Sequence, residues 1–173
     1  MKYANIKYYD VANGPGVRTS LFVSGCTHRC EGCFNEIAWD FNYGDEFNAS
    51  IIDLILDSVK EDHIAGITLL GGEPMEKENQ AELIKLLRQF KKLYPEKTVW
   101  CYTGYTYEED FIQGARAYTE VTKEFLNLTD VLVDGKFIIS LKDIRLRFRG
   151  SSNQRIIDMN ETRKNDRIIL WDG

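Results

Sequence analysis

Residues 17–34 read VRTSLFVSGCTHRCEGCF. The first seven, Val17 to Val23, carry the apolar and β-branched residues of a strand, entered through the turn-forming Asn13-Gly-Pro-Gly16. A loop holding Cys26, Cys30 and Cys33 follows at once, at that strand's C-terminal end. Three thiols this close, in a chain whose N-terminus MKYANIKYYD has no apolar signal stretch, fit disulfides badly. Metal or iron–sulfur ligation remains. A cubane normally takes four thiolates, and this loop supplies three, which leaves one iron open. Zinc is the alternative, with His28 as fourth ligand, but it must wrap a tetrahedral ion from within one short loop. Cys101 lies in Thr98-Val-Trp-Cys-Tyr-Thr103, a predicted buried strand, about 10 Å below its end at Gly104. It reads as a small core hydrophobe. His28 reads as a loop side chain near the cluster, and His63 as an exposed helix-end residue.

Outward from the loop, strand and helix alternate. Periodicity predicts a helix over 50–60 with Ser50 as N-cap, a strand over 66–70 closed by Gly71-Gly72-Glu73-Pro74, and an amphipathic helix over 78–93. A strand over 97–103, uneven helix over 108–127 and a strand over 130–134 ending in Asp134-Gly135-Lys136 follow. The tail is predicted to form a hairpin, 154–159 against 167–171 around the polar stretch 160–166. This alternation points to parallel βαβ units. A complete eight-stranded barrel needs about 250 residues, more than the 173 present. The expected architecture is therefore α/β, a partial, laterally open (β/α) barrel with a short antiparallel C-terminal tail. One domain is expected, with its core over about 1–137 and its tail over 138–173. Parallel α/β folds place their sites at the C-terminal ends of strands. The cysteine loop, Gly71 to Pro74, Thr103-Gly104 and Asp134 to Lys136 all fall there. A double glycine at such an end lets backbone approach a ligand.

With 43% hydrophobic and 28% charged residues, the composition is that of a globular protein and excludes disorder and fibres. No apolar run is long enough to span a membrane, and a cytoplasmic location is the default expectation. A net charge of −5 argues against nucleic acid as main partner. The charge is uneven: Lys142 to Arg167 carries +4 and the remainder −9. That basic tail is either a docking face or a solvated edge.

Gly25-Cys26-x3-Cys30-x2-Cys33-Phe34 followed by Gly71-Gly72-Glu73-Pro74 resembles a radical S-adenosylmethionine enzyme. With Thr103-Gly-Tyr105, Val133-Asp-Gly-Lys136 and Arg149-Gly-Ser-Ser-Asn-Gln154, the chain is most similar to the family that activates anaerobic ribonucleoside-triphosphate reductase. Glu73 stands where that family often has Asp, and Phe34 where Tyr is common. The resemblance implies that Cys26, Cys30 and Cys33 hold a [4Fe-4S] cluster whose fourth iron is chelated by S-adenosylmethionine. It implies that Gly71, Gly72 and Glu73 bind the amino group of that molecule, and that Gly32, Cys33 and Phe34 pack on its adenine. Thr103 and Asp134 are positional candidates for its sugar hydroxyls. A low-potential donor such as a flavodoxin or ferredoxin would reduce the cluster. The resulting 5′-deoxyadenosyl radical would take hydrogen from a glycine of the partner, the reductase large subunit. No side-chain acid, base or nucleophile is then required, because the cofactor carries the chemistry. Other readings are an activase of the pyruvate formate-lyase type, a small radical enzyme acting on a metabolite, and an electron-transfer or structural metal protein.

Overall fold

The computed structural model describes residues 1–173. Seven strands form one mixed sheet: β1 (Lys2–Asp10), β2 (Val17–Val23), β3 (Asp45–Glu46), β4 (Ile64–Gly71), β5 (Thr98–Tyr102), β6 (Val131–Asp134) and β7 (Arg155–Asp158). Five helices accompany them: α1 (Ala49–Ser58), α2 (Lys77–Leu93), α3 (Tyr107–Asp110), α4 (Thr122–Leu128) and α5 (Met159–Asn165). The strand order is β3-β1-β2-β4-β5-β6-β7. β2, β4, β5 and β6 run parallel, and β1 and β7 flank them antiparallel. The order has two free edges, so the sheet does not close on itself.

Alternation along the strands gives the sheet two different faces. Leu21 and Val23 of β2, Ile67 and Leu69 of β4, Val99 and Cys101 of β5 and Leu132 of β6 enter one apolar cluster with α1, α2 and α4. The intervening residues face the other way. There Trp100, Val131 and Val133 pack with Tyr102, Phe148 and Trp171. Arg18, wholly buried, crosses this second face. Its guanidinium donates to Thr68 Oγ1 at 2.8 Å, Ile67 O at 2.7 Å and Thr98 O at 2.8 Å, tying three strands together. Burial lowers its pKa to about 10, and the neutral acceptors satisfy it without a carboxylate.

Several expectations need correction. Residues 2–10 form the antiparallel strand β1, which the weak alternation of KYANIKYYD did not reveal; most of its side chains are exposed or half-buried. α1 is capped by Asn48, which accepts from the Ile51 N–H at 3.2 Å, while Ser50 sits inside the helix and donates to Asn48 Oδ1. Either residue type can cap, and the one that precedes the helix does so. The helical stretch 108–127 is two short helices separated by turns around Gly114. The hairpin is replaced by strand, helix and return. Residues 160–165 belong to α5, whose N-cap Asp158 accepts from the Glu161 N–H at 2.9 Å, and β7 pairs with β6. The 167–171 segment does run back beside β7, through an Ile157–Leu170 bridge.

Asp10 ends β1 and is fully buried. It accepts from Lys7 Nζ (2.8 Å), Asn13 Nδ2 (2.6 Å), Ser20 Oγ (2.6 Å) and the Ala12 N–H (3.1 Å). Burial pushes this carboxyl up, but the four donors outweigh it and hold the pKa well below the ordinary 3.8. A depressed carboxyl contributes stability that is complete above its unfolded value and lost as pH falls through the folded one. Asp10→Asn is therefore expected to cost about 1–3 kcal/mol at pH 7. The gap from wild type should narrow when urea unfolding is repeated at pH 3.

Candidate metal centre

The C-terminal ends of β2, β4, β5 and β6 open on one cavity of about 830 Å³. Cys26, Cys30 and Cys33 all line it, as do Gly71 to Glu73 and Thr103-Gly104. The three thiols are half-buried and form no disulfide. Cys101 is wholly buried on the helix face, among the core residues expected of it. Burial, and then the Glu73 carboxylate, pushes the Cys26 thiol up to about 12. Burial also raises Cys30, against the pull of Lys136. Raised in this way, both thiols must give up their protons before they can ligate a metal. No three His, Cys, Asp or Glu side chains are gathered closely enough to hold a single metal ion. Three soft donors on one wall of a cavity fit an iron–sulfur cluster.

The loop owes its shape to glycine at the sharp turns. Gly25 and Gly32 adopt φ of 92° and 67°. The Gly25 and Cys26 N–H groups donate to Ala38 O and Trp39 O of the turn that follows. The double glycine also answers to a contact within the protein. A Cβ on Gly72 would stand 2.6 Å from Gly25 O and 2.9 Å from Ala38 O. The Gly72 N–H also donates to Val23 O at 2.7 Å. Position 72 is thus held bare by the cysteine loop pressing on the strand end, while both glycines still line the cavity.

Glu73 is 1% exposed and joins three segments. Its Oε1 accepts from the Met75 N–H at 2.8 Å. Its Oε2 accepts from the Gly104 N–H at 2.7 Å and from His28 Nε2 at 2.9 Å. A carboxylate offers about four lone-pair sites, so one on Oε1 stays open. His28 lies in its loop on the same cavity as the three thiols, with its side chain buried and its ring edge-on to Tyr105 at 4.4 Å. His63 is exposed, in the turn before β4, and stacks on Tyr9.

Gly32 backs onto Ile139, and Phe34 stands at the rim, 71% exposed, against Phe137 at 5.2 Å with Lys142 Nζ 4.9 Å from its ring centre. Thr103 lines the cavity, but its hydroxyl accepts from the Tyr105 N–H. Asp134 is turned away from the cavity. Both its oxygens face Arg155, and one also takes the Tyr107 N–H. Its placement as a sugar contact does not hold. The tail segment Arg149 to Gln154 walls the cavity instead. Gln154 binds the Gly150 and Ser151 N–H groups and donates to Gly135 O at 3.0 Å. Arg145 is exposed and paired with Asp143, whereas Arg149 lines the cavity, so the basic tail is not one uniform face. Sequence reasoning missed Glu76, Thr27 and Arg116, and gave Tyr105 no part beyond its place in the Thr103-Gly-Tyr105 motif. Glu76 lies three residues after Glu73, but nothing local shows that it meets the cysteine loop.

An open, mixed α/β sheet with three thiols at one strand-end cavity fits a protein of the iron–sulfur class. A family model described as a 4Fe-4S single cluster domain matches residues 12–157. The anaerobic ribonucleoside-triphosphate reductase-activating protein of Escherichia coli (strain K12) is 39% identical over 156 residues, 89% of this chain and 96% of that protein. The protein of the same name from Enterobacteria phage T4 is 38% identical over 156 residues (90% and 93%), and that of Pasteurella multocida 41% over 155 (87% and 94%). The chain belongs to this 4Fe-4S family and, within it, to the anaerobic ribonucleoside-triphosphate reductase-activating proteins.

Gly72→Ala tests the loop contact. It is expected to cost about 1–3 kcal/mol through overpacking against backbone. Iron content after anaerobic reconstitution should fall below wild type, because the loop can no longer seat.

Proposed function

We propose that this protein activates an anaerobic ribonucleoside-triphosphate reductase by installing a radical on a glycine of its large subunit. One observation carries the reading: the three thiols and the Gly71–Glu73 strand end share one cavity, in a chain akin over nearly its whole length to reductase-activating proteins. Cys26, Cys30 and Cys33 would hold a [4Fe-4S] cluster, leaving one iron for S-adenosylmethionine. When bound, cluster and sulfonium supply reductive cleavage: one electron in, methionine out, and a 5′-deoxyadenosyl radical that takes the glycine Cα hydrogen atom.

The chain's own work is placement. The backbone at Gly71 and Gly72, with the open site on Glu73 Oε1, would receive the amino group of S-adenosylmethionine. Gly32, Cys33 and Phe34 would border its adenine, with Phe34 offering a ring face. Cys101 plays no part. The 173 residues act as one radical S-adenosylmethionine domain, its open sheet a partial barrel whose gap admits a protein segment. The electron comes from a low-potential flavodoxin or ferredoxin in the cytoplasm.

Anaerobically reconstituted protein is expected to hold about four irons per chain. Cys26→Ala, Cys30→Ala and Cys33→Ala should each lose that iron, and Cys101→Ala should keep it. With dithionite and S-adenosylmethionine, wild type should release 5′-deoxyadenosine. Adding the reductase should produce a glycyl doublet in electron paramagnetic resonance. No 5′-deoxyadenosine from cluster-loaded protein would sink the chemistry. A doublet on a pyruvate formate-lyase and none on the reductase would reassign the partner.

A further inference from the structure

Glu76 has no role in the chemistry above, yet it is 6% exposed and aimed at the cysteine loop. Its Oε1 accepts from the Thr27 N–H at 2.7 Å and the Thr27 hydroxyl at 2.6 Å. Its Oε2 accepts from the Tyr105 hydroxyl at 3.3 Å. The nitrogen of Thr27 is bonded to the carbonyl carbon of Cys26, so this carboxylate lies one peptide unit from the first of the three thiol residues. All its partners are donors, as suits an ionised carboxylate. The exposed Arg116 reaches the same point from outside. It donates to Thr27 Oγ1 at 2.8 Å, and its guanidinium lies 5.2 Å from the Tyr105 ring centre.

An acceptor for Thr27 need not be charged. The adjoining Gln80 shows the neutral solution: its buried amide oxygen Oε1 accepts from Thr122 Oγ1 at 2.6 Å and from Thr119 Oγ1 at 3.0 Å. Burying a carboxylate where an amide would serve costs desolvation energy. Its distinctive effect is on any electron added nearby, because a fixed negative charge in a poorly screened site opposes reduction.

On the reading of a three-thiolate cluster given above, we propose that Glu76 is a positioning residue that seats Cys26 through Thr27 and, by its charge, holds the cluster's reduction potential low. Arg116 works in the opposite sense across the same threonine. A low potential makes the reduced cluster a stronger one-electron donor, which a sulfonium carbon–sulfur bond demands.

The test is a redox titration of reconstituted protein, followed by electron paramagnetic resonance of the reduced cluster without S-adenosylmethionine. Glu76→Gln keeps an acceptor for Thr27 and removes the charge. It should raise the midpoint, with the reduced-to-oxidised ratio at fixed poise increased on the order of tenfold. Arg116→Gln should lower the midpoint, by less, because its charge is exposed to solvent. Glu82→Gln, on the outer face of α2 beside Lys85, should leave it unchanged. A loosened loop alone would not give shifts of opposite sign. The proposal fails if Glu76→Gln has the wild-type midpoint, or if the Glu76 and Arg116 variants shift it in the same direction. If Glu76→Gln takes up no cluster, Arg116→Gln decides: a lowered midpoint supports the proposal, and an unchanged or raised one overturns it. A wild-type protein that forms no cluster or releases no 5′-deoxyadenosine sinks the proposed function instead, so the two failures are separable.

Discussion

Two buried carboxylates three residues apart, Glu73 and Glu76, clamp the cysteine loop to the sheet. Glu73 takes His28 and the Gly104 N–H, and Glu76 takes both donors of Thr27. An eight-residue loop with left-handed turns has no ladder of its own to hold it. Without external partners its backbone donors would stay with water and its thiols would not share a wall. Charge-assisted hydrogen bonds are stronger than neutral ones, and here they link the ends of β2, β4 and β5 in one network. The cavity depends on that junction.

The bare strand end is part of the same constraint. At Gly72 the neighbouring backbone is so close that any side chain would push the cysteine loop away. The glycine serves the meeting of two protein segments. Behind the junction the sheet divides its residues by parity. One set fills the helix-covered core, and the other, with Phe22, Leu70 and Tyr102, lines the cavity. Cys101 falls on the core side of that division, and this separates it from the other three thiols.

The tail completes the cavity rather than hanging from it. β7 extends the sheet beyond β6, Gln154 fastens the Arg149–Gln154 segment to Gly135, and Phe137 and Lys142 border Phe34. The cavity therefore has walls from both sequence-distant ends of the sheet, including Asn5 and Asn13 on one side and Arg149 and Gln154 on the other.

Much of this was legible in the residues. The strand running into Cys26, the thiol spacing, the parallel strands and their loops follow from local periodicity and turn chemistry, which need no knowledge of distant partners. The misreadings share a cause. β1 is a half-exposed flanking strand whose pattern barely alternates, and α5 hid in a polar stretch that looked like a turn despite its Asp158–Glu161 cap. The sequence alone determined that three sulfurs would crowd one loop at the end of a strand. Which groups hold that loop was decided in three dimensions, because Thr27 meets Glu76 across 49 residues and His28 meets Glu73 across 45. Contacts at such separations are set by strand register and close backbone approach, not by any property of the segments read singly.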